Sequence, residues 1–151
     1  MSSPRIAVLP GDGIGVDVTA SAVSVLRAAT NDGLQFEEAL IGGIAIDTHQ
    51  DPLPPATLEL CQNSAATFLG AVGGPKWDHP DAPIKVEKSL LGLRKGLGLY
   101  ANIRPVVPHP ALADASPVKN ERRMGVDSLF VRELTGGIYF GDKGRDDNRA
   151  F

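Results

Sequence analysis

Two arginines, Arg94 and Arg104, lie ten positions apart in an apolar stretch, residues 90–105, that reads LLGLRKGLGLYANIRP. A guanidinium is a planar fork that binds a carboxylate through two parallel hydrogen bonds, and it stays charged at any working pH. Two such groups beside leucine side chains could therefore bind a carboxylate ligand. The alternative is two solvated surface charges without a ligand, and the pair taken alone favours that alternative.

The elements around these arginines can be predicted from the same stretch. Apolar residues at helical spacing predict a helix that carries Leu90 and Arg94 one turn apart on one face, with Ser89 available as its N-cap. The glycines that follow should end the helix, and residues 99–104 predict a strand that stops at Pro105. One guanidinium is thus expected at a helix end and the other at a strand end.

Strands alternate with helices along the first hundred residues, which predicts an α/β fold with a mainly parallel sheet flanked by helices. The predicted strands are residues 5–9, 34–41 and 65–71, and the predicted helices are residues 16–29, 42 to about 48, and about 56–63. The first helix is predicted to be amphipathic, with apolar residues at Val18, Ala22, Val25 and Ala29.

Two glycine-rich turns follow predicted strands. GDGIG at residues 11–15 is not the dinucleotide-binding fingerprint, because that motif needs a third glycine where Val16 stands. It predicts a tight strand-to-helix turn that brings the backbone close to another group. VGGPKWD at residues 72–78 lies at the carboxyl end of a strand, where open α/β sheets bind their ligands.

Composition sets broad limits. The chain has 151 residues and a net charge of −3, which argues against a nucleic-acid surface. The sequence has no apolar run of membrane-spanning length, and residues 1–5 lead directly into a predicted strand without a signal-peptide pattern. Its single cysteine, Cys61, cannot form an internal disulfide. We therefore expect a cytoplasmic protein that binds neither nucleic acid nor membrane.

Five motifs together resemble the 3-isopropylmalate dehydrogenases, within the isocitrate/isopropylmalate dehydrogenase family. These motifs are PGDGIG at residues 10–15, GGPKWD at 73–78, LLGLRK at 90–95, YANIRP at 100–105 and VRELTGGIYFG at 131–141. The resemblance implies a two-domain β-decarboxylating dehydrogenase fold, here incomplete. Residues 1–99 would form part of the cofactor-side domain, and residues 100–151 the start of the second, substrate and dimer side. The family's catalytic lysine and metal-binding aspartates are expected beyond residue 151, so we interpret the chain as an N-terminal fragment.

The resemblance also implies an activity. These enzymes oxidise the hydroxyl of 3-isopropylmalate by hydride transfer to NAD, release a carboxylate as carbon dioxide and protonate the resulting enol, in leucine biosynthesis. It implies a divalent metal, Mg²⁺ or Mn²⁺, and a homodimer. The implied substrate-binding residues are Arg94, Arg104, Arg132, Leu90 and Leu91; the implied acid is Tyr139; the implied NAD-binding residues are Gly74, Pro75, Lys76 and Glu87.

Two alternatives stay open at the level of sequence. A related enzyme that acts on homoisocitrate, tartrate or another alkylmalate would differ only in the shape of its pocket, although a leucine at position 90 favours an alkyl substituent. A truncated, non-catalytic module could keep the carboxylate-binding arginines without turnover.

Overall fold

The computed structural model describes residues 3–79, 81–134, 136, 141 and 144–150. The chain folds as two compact units, Met1–Leu97 and Gly98–Phe151, each built around its own sheets. The assignment of a cofactor side and a substrate side to the predicted domains stays a prediction.

The first unit alternates strands with helices. Its elements are β1 (Arg5–Gly11), α1 (Ile14–Thr30), β2 (Gln35–Glu38), α2 (Gly43–His49), α3 (Pro55–Gln62), β3 (Ala66–Ala71) and α4 (Glu87–Gly96). The three strands form a parallel sheet of order β2–β1–β3, which confirms the predicted α/β class. The central strand is an apolar run because it contributes most to the core, whose buried members are Ala7, Leu9, Ile41, Cys61 and Leu93.

β2 is shorter than the strand predicted over residues 34–41. The chain leaves the sheet after Glu38, and the Leu40 carbonyl accepts a hydrogen bond from the Thr57 hydroxyl of α3 at 2.8 Å. Ile41 is then fully buried in the core. The apolar pattern that suggested a longer strand reflects this burial.

The packed face of α1 differs from the predicted apolar stripe. Val18 and Val25 are 48% and 67% exposed, whereas Thr19 is 2% exposed. The helix approaches β3 so closely that a Cβ on Gly70 would overlap the Thr19 hydroxyl oxygen. Thr19 therefore packs against β3 because position 70 is a glycine, and the valines of the predicted stripe lie on the exposed side of the helix. No helix in the described residues is long and apolar enough to cross a membrane.

The second unit contains β4 (Ala101–Val106), a 3₁₀ helix (Pro110–Ala115), α5 (Asn120–Arg123), β5 (Ser128–Glu133) and a small hairpin of β6 (Arg145–Asp146) with β7 (Arg149–Ala150). β4 and β5 are antiparallel. The strand predicted to stop at Pro105 continues through it to Val106, so that prediction is wrong. The Leu134 N–H donates to the Tyr100 carbonyl at 2.8 Å, and alternation along the ladder leaves the Pro105 nitrogen on the outer edge, where no N–H is needed.

Candidate functional site

The carboxyl ends of β1 and β3 meet at one edge of the parallel sheet, where the turn of residues 11–15 begins. The Asp12 N–H donates to the Ala71 carbonyl oxygen at 2.7 Å. Gly11 has φ +75°, and a Cβ there would overlap that carbonyl. The tight turn predicted from GDGIG is therefore present, and the group its backbone approaches is β3.

The carboxylate of Asp12 is the feature of this edge that sequence reasoning missed. It is 3% exposed, and it accepts backbone N–H groups from Gly43 at 2.7 Å, Ile44 at 2.7 Å and Gly73 at 2.8 Å. It thereby joins the start of α2 to the segment after β3. The available signal was an acidic residue directly after a buried strand, between two glycines.

The segment after β3, residues 73–78, is called the glycine loop below. Gly73 has φ +100°, which favours glycine, and a Cβ there would meet no atom closer than 3.5 Å. The Trp77 N–H donates to the Gly74 carbonyl at 2.9 Å and closes a turn around Pro75 and Lys76. The loop therefore presents open backbone at the carboxyl end of a strand.

The far end of the glycine loop is attached to α2. The Lys76 ammonium lies 2.6 Å from one carboxylate oxygen of Asp47, and the Trp77 indole N–H donates to the other at 3.3 Å. The hydrogen bond from Lys76, followed by that from Trp77, lowers the pKa of Asp47. The indole ring packs on Gly43, where a Cβ would overlap it.

α4 carries four of the predicted site residues. Glu87 is the first helical residue and is exposed, while Leu90, Leu91 and Arg94 are half-buried. Leu90 and Arg94 lie one turn apart, as predicted. The inner face of the helix is instead formed by Leu93, which is 4% exposed and belongs to the core.

The expectation that Ser89 caps α4 is wrong. The helix begins two residues earlier, and no side chain caps it at Val86. Ser89 is fully buried inside the first turn, and its hydroxyl donates to the Val86 carbonyl at 2.6 Å. The hydroxyl is thus used within the helix.

β4 and β5 carry the other two arginines. Arg132 is paired in register with Asn102, and Arg104 with Phe130, so the two arginines are diagonal neighbours on one face of the sheet. The Arg104 Nε–H donates to the Asn102 amide oxygen at 2.8 Å, which orients its guanidinium. This face therefore presents two fixed-charge forks with an amide between them.

The predicted site residues do not all lie in one unit of the described structure. Arg94 belongs to the first unit, whereas Arg104 and Arg132 belong to the second. Tyr139 lies outside the described residues. Within the part of the chain that the structure describes, no three His, Cys, Asp or Glu side chains come together to hold a metal ion.

Comparison with known protein families identifies the family that carries these sequence and structural features. Residues 5–150 match the family described as isocitrate/isopropylmalate dehydrogenase. The chain belongs to this family. The match includes the glycine loop, α4 and the β4–β5 face, so all the predicted site residues lie within it.

Curated members of the isocitrate/isopropylmalate dehydrogenase family are similar along nearly the whole chain. The 3-isopropylmalate dehydrogenase of Anaeromyxobacter dehalogenans is 57% identical over 146 residues, which are 94% of this chain and 41% of that protein. The 3-isopropylmalate dehydrogenase of Bacillus subtilis is 54% identical over 140 residues, 91% of this chain and 38% of that protein. The chain thus spans about two fifths of the length of these relatives.

Solved structures of family members share the fold. A β-decarboxylating dehydrogenase from Thermococcus kodakarensis superposes with a TM-score of 0.67 at 34% identity, covering 98% of this chain and 39% of that one. An isocitrate dehydrogenase from Methylococcus capsulatus gives a TM-score of 0.70 at 28% identity, covering 97% of this chain and 40% of that one.

Proposed function

We propose that this chain is part of an NAD-dependent 3-isopropylmalate dehydrogenase, which carries out the oxidative decarboxylation of 3-isopropylmalate in leucine biosynthesis. The observation that carries the proposal is the similarity to proteins of that name, 57% and 54% identical over more than nine tenths of this chain. The predicted domains, a cofactor side in residues 1–99 and a substrate side in residues 100–151, are part of the proposal.

The substrate carries two carboxylates and an isopropyl group, and the proposed binding residues fit these groups chemically. Arg104 and Arg132, on one sheet face, supply guanidinium forks for a carboxylate. Arg94 supplies a third fork on α4, one turn from Leu90, which with Leu91 would contact the alkyl group. A hydrogen bond from a charged fork to a desolvated carboxylate contributes about 1.5–3 kcal/mol. Tyr139 is proposed as the acid that protonates the enol.

The glycine loop fits a dinucleotide cofactor. Its open backbone at Gly73 and Gly74 lets a ligand approach closely, and the Lys76 side chain is 67% exposed. An ammonium has three N–H donors, so the ion pair with Asp47 leaves donors for a ligand. Together with Pro75 and Glu87, these residues would hold NAD, which when bound accepts the hydride from the substrate hydroxyl. The metal and the homodimer are proposals that rest on the resemblance, and the cytoplasmic location is a proposal that rests on the composition and pattern of the sequence.

The experiment is a chimera in which this chain replaces the matching segment of the Bacillus subtilis 3-isopropylmalate dehydrogenase. The chimera should restore growth of a leucine auxotroph and form NADH from 3-isopropylmalate with Mg²⁺ or Mn²⁺. Homoisocitrate, tartrate and isocitrate serve as competing substrates. The unchanged Bacillus subtilis protein is the positive control.

Two results would overturn the proposal. A chimera that folds, as judged by circular dichroism, and yet forms no NADH would support a non-catalytic carboxylate-binding module. A chimera whose kcat/KM is higher for another of these acids would show that Leu90 and Leu91 belong to a different substrate pocket.

A further inference from the structure

Asp12 is a buried carboxylate that has no part in the chemistry proposed above. Among the residues that the structure describes it is the only buried acidic side chain, at 3% exposure. A carboxylate is withdrawn from water only where hydrogen bonds replace its hydration. Its partners therefore indicate what it does.

All three groups that bind the carboxylate are backbone N–H groups, and they come from two separate segments. Oδ2 accepts from Gly43 at 2.7 Å and Gly73 at 2.8 Å, and Oδ1 accepts from Ile44 at 2.7 Å. Gly42, with φ +84°, has no room for a side chain, because a Cβ there would lie 2.5 Å from Oδ2. The first turn of α2 and the first residue of the glycine loop are thus held by one carboxylate group.

The far end of the glycine loop is held to the same helix. Asp47 of α2 binds both Lys76 and the Trp77 indole, and the indole packs on Gly43, which itself donates to Asp12. Asp12 therefore constrains the start of the loop directly and its end through α2. Both ends of the loop are thus held by the Asp12 carboxylate, the start through the Gly73 N–H and the far end indirectly through α2.

We infer that Asp12 is a positioning residue for cofactor binding: it holds the glycine loop in the conformation that receives NAD. The inference rests on the proposed function, in which Gly74, Pro75 and Lys76 contact the cofactor. The three hydrogen bonds of the Asp12 carboxylate all go to the start of α2 and to the glycine loop. Its loss should therefore weaken NAD binding selectively and leave binding of the dicarboxylate nearly unchanged.

The test is Asp12→Asn in the chimera. The amide keeps the shape of the side chain but replaces one acceptor oxygen with a donor, so at least one of the three N–H groups loses its partner. We expect the KM and the titrated Kd for NAD to rise about tenfold or more, equivalent to about 1.4 kcal/mol. The KM for 3-isopropylmalate should change by less than about twofold. Asp17→Asn, at an exposed position in α1, is the matched control.

A second readout does not depend on activity. Trp77 is the single tryptophan of the chain, so its fluorescence reports the packing of the glycine loop on α2. In the 151-residue chain, Asp12→Asn should shift the emission to the red and increase quenching by acrylamide, and Asp17→Asn should do neither. If Asp12→Asn gives no folded protein, Asp12→Ser keeps one acceptor oxygen and is measured in the same two ways.

Lys76→Gln separates failure of this inference from failure of the proposed function. If Lys76→Gln raises the KM for NAD but neither Asp12 variant does, the loop binds NAD and the positioning role of Asp12 is overturned. If a folded Asp12 variant raises both KM values equally, the role is general and the inference is again overturned. If neither position affects NAD, the cofactor assignment of the loop is wrong, and the inference is refuted with it.

Discussion

Two threonines of the first unit are equally buried but differ in their hydrogen bonds. Thr19 in α1 is 2% exposed and Thr57 in α3 is 3% exposed. The Thr57 hydroxyl donates to the Leu40 carbonyl at 2.8 Å. Within the described residues, the Thr19 hydroxyl has no hydrogen-bond partner and faces Gly70. Replacement by valine, which exchanges the hydroxyl for a methyl group, should therefore change stability in opposite directions.

The magnitudes follow from the cost of burying a polar group. An unpaired buried hydroxyl costs about 1–3 kcal/mol, and a buried methyl contributes about 0.8 kcal/mol. Crowding against Gly70 offsets part of this gain, so Thr19→Val should raise the free energy of unfolding by about 1–2 kcal/mol. Thr57→Val leaves the Leu40 carbonyl without its hydrogen-bond partner and should lower the free energy of unfolding by about 1–3 kcal/mol.

The assay is urea unfolding of the 151-residue chain and of the chimera, followed by circular dichroism. Equal m values in the variants and the parent would attribute the change to stability alone. The double variant serves as a further control, and its effect should be close to the sum of the two single effects if the sites are independent. A loss of stability in Thr19→Val similar to that in Thr57→Val would refute the reasoning, because it would mean that the Thr19 hydroxyl is satisfied.

Further predictions concern activity and pH. The 151-residue chain alone should form no NADH from 3-isopropylmalate, and sustained turnover by purified chain would contradict this. In the chimera, Leu90→Ser should lower kcat/KM for 3-isopropylmalate by the equivalent of about 1–3 kcal/mol, because apolar contact with the alkyl group is lost. Arg104→Lys keeps the charge but loses the bidentate fork, so KM for 3-isopropylmalate should rise, roughly tenfold for each ~1.4 kcal/mol of binding free energy lost. Tyr139→Phe should lower kcat by ~10²-fold and leave the Kd for 3-isopropylmalate unchanged. The pKa of Asp47 is lowered by its hydrogen bond to Lys76 and then by that to the indole of the glycine loop. This contact should therefore stabilise the loop above the ordinary carboxyl pKa of about 3.9 and be lost as the pH falls through the lowered value. Tryptophan fluorescence should show that transition, and Asp47→Asn should abolish it.

Local pattern was sufficient for most elements of the first unit. Residues 5–9 and 65–71 were predicted as strands and correspond to β1 and β3, because short apolar runs bounded by proline or glycine carry their own signal. The helix with Leu90 and Arg94 on one face follows equally from the 3.6-residue period. The motifs were also sufficient to predict the family, because each of them, such as GGPKWD or YANIRP, is an unbroken run of residues that can be read without the fold.

Tertiary contacts decided where the local pattern had no information. Pro105 can stay in β4 only because its nitrogen is on the outer edge of a two-stranded sheet, which depends on the register with β5. The packed face of α1 was decided by its close approach to Gly70, so that Thr19 is buried and Val25 is exposed. Neither fact can be deduced from the helix or the strand alone.

Asp12 shows most clearly what the sequence alone could not predict. Its type and its position after β1 are visible in the sequence, but its partners Gly43 and Gly73 lie 31 and 61 positions away. Hydrogen bonds of that kind form only after the parallel sheet has aligned the carboxyl ends of its strands. The sequence by itself therefore determined the family, the fold class and the candidate side chains. The tertiary structure decided which backbone groups one buried carboxylate holds together, because that arrangement depends on contacts between distant segments.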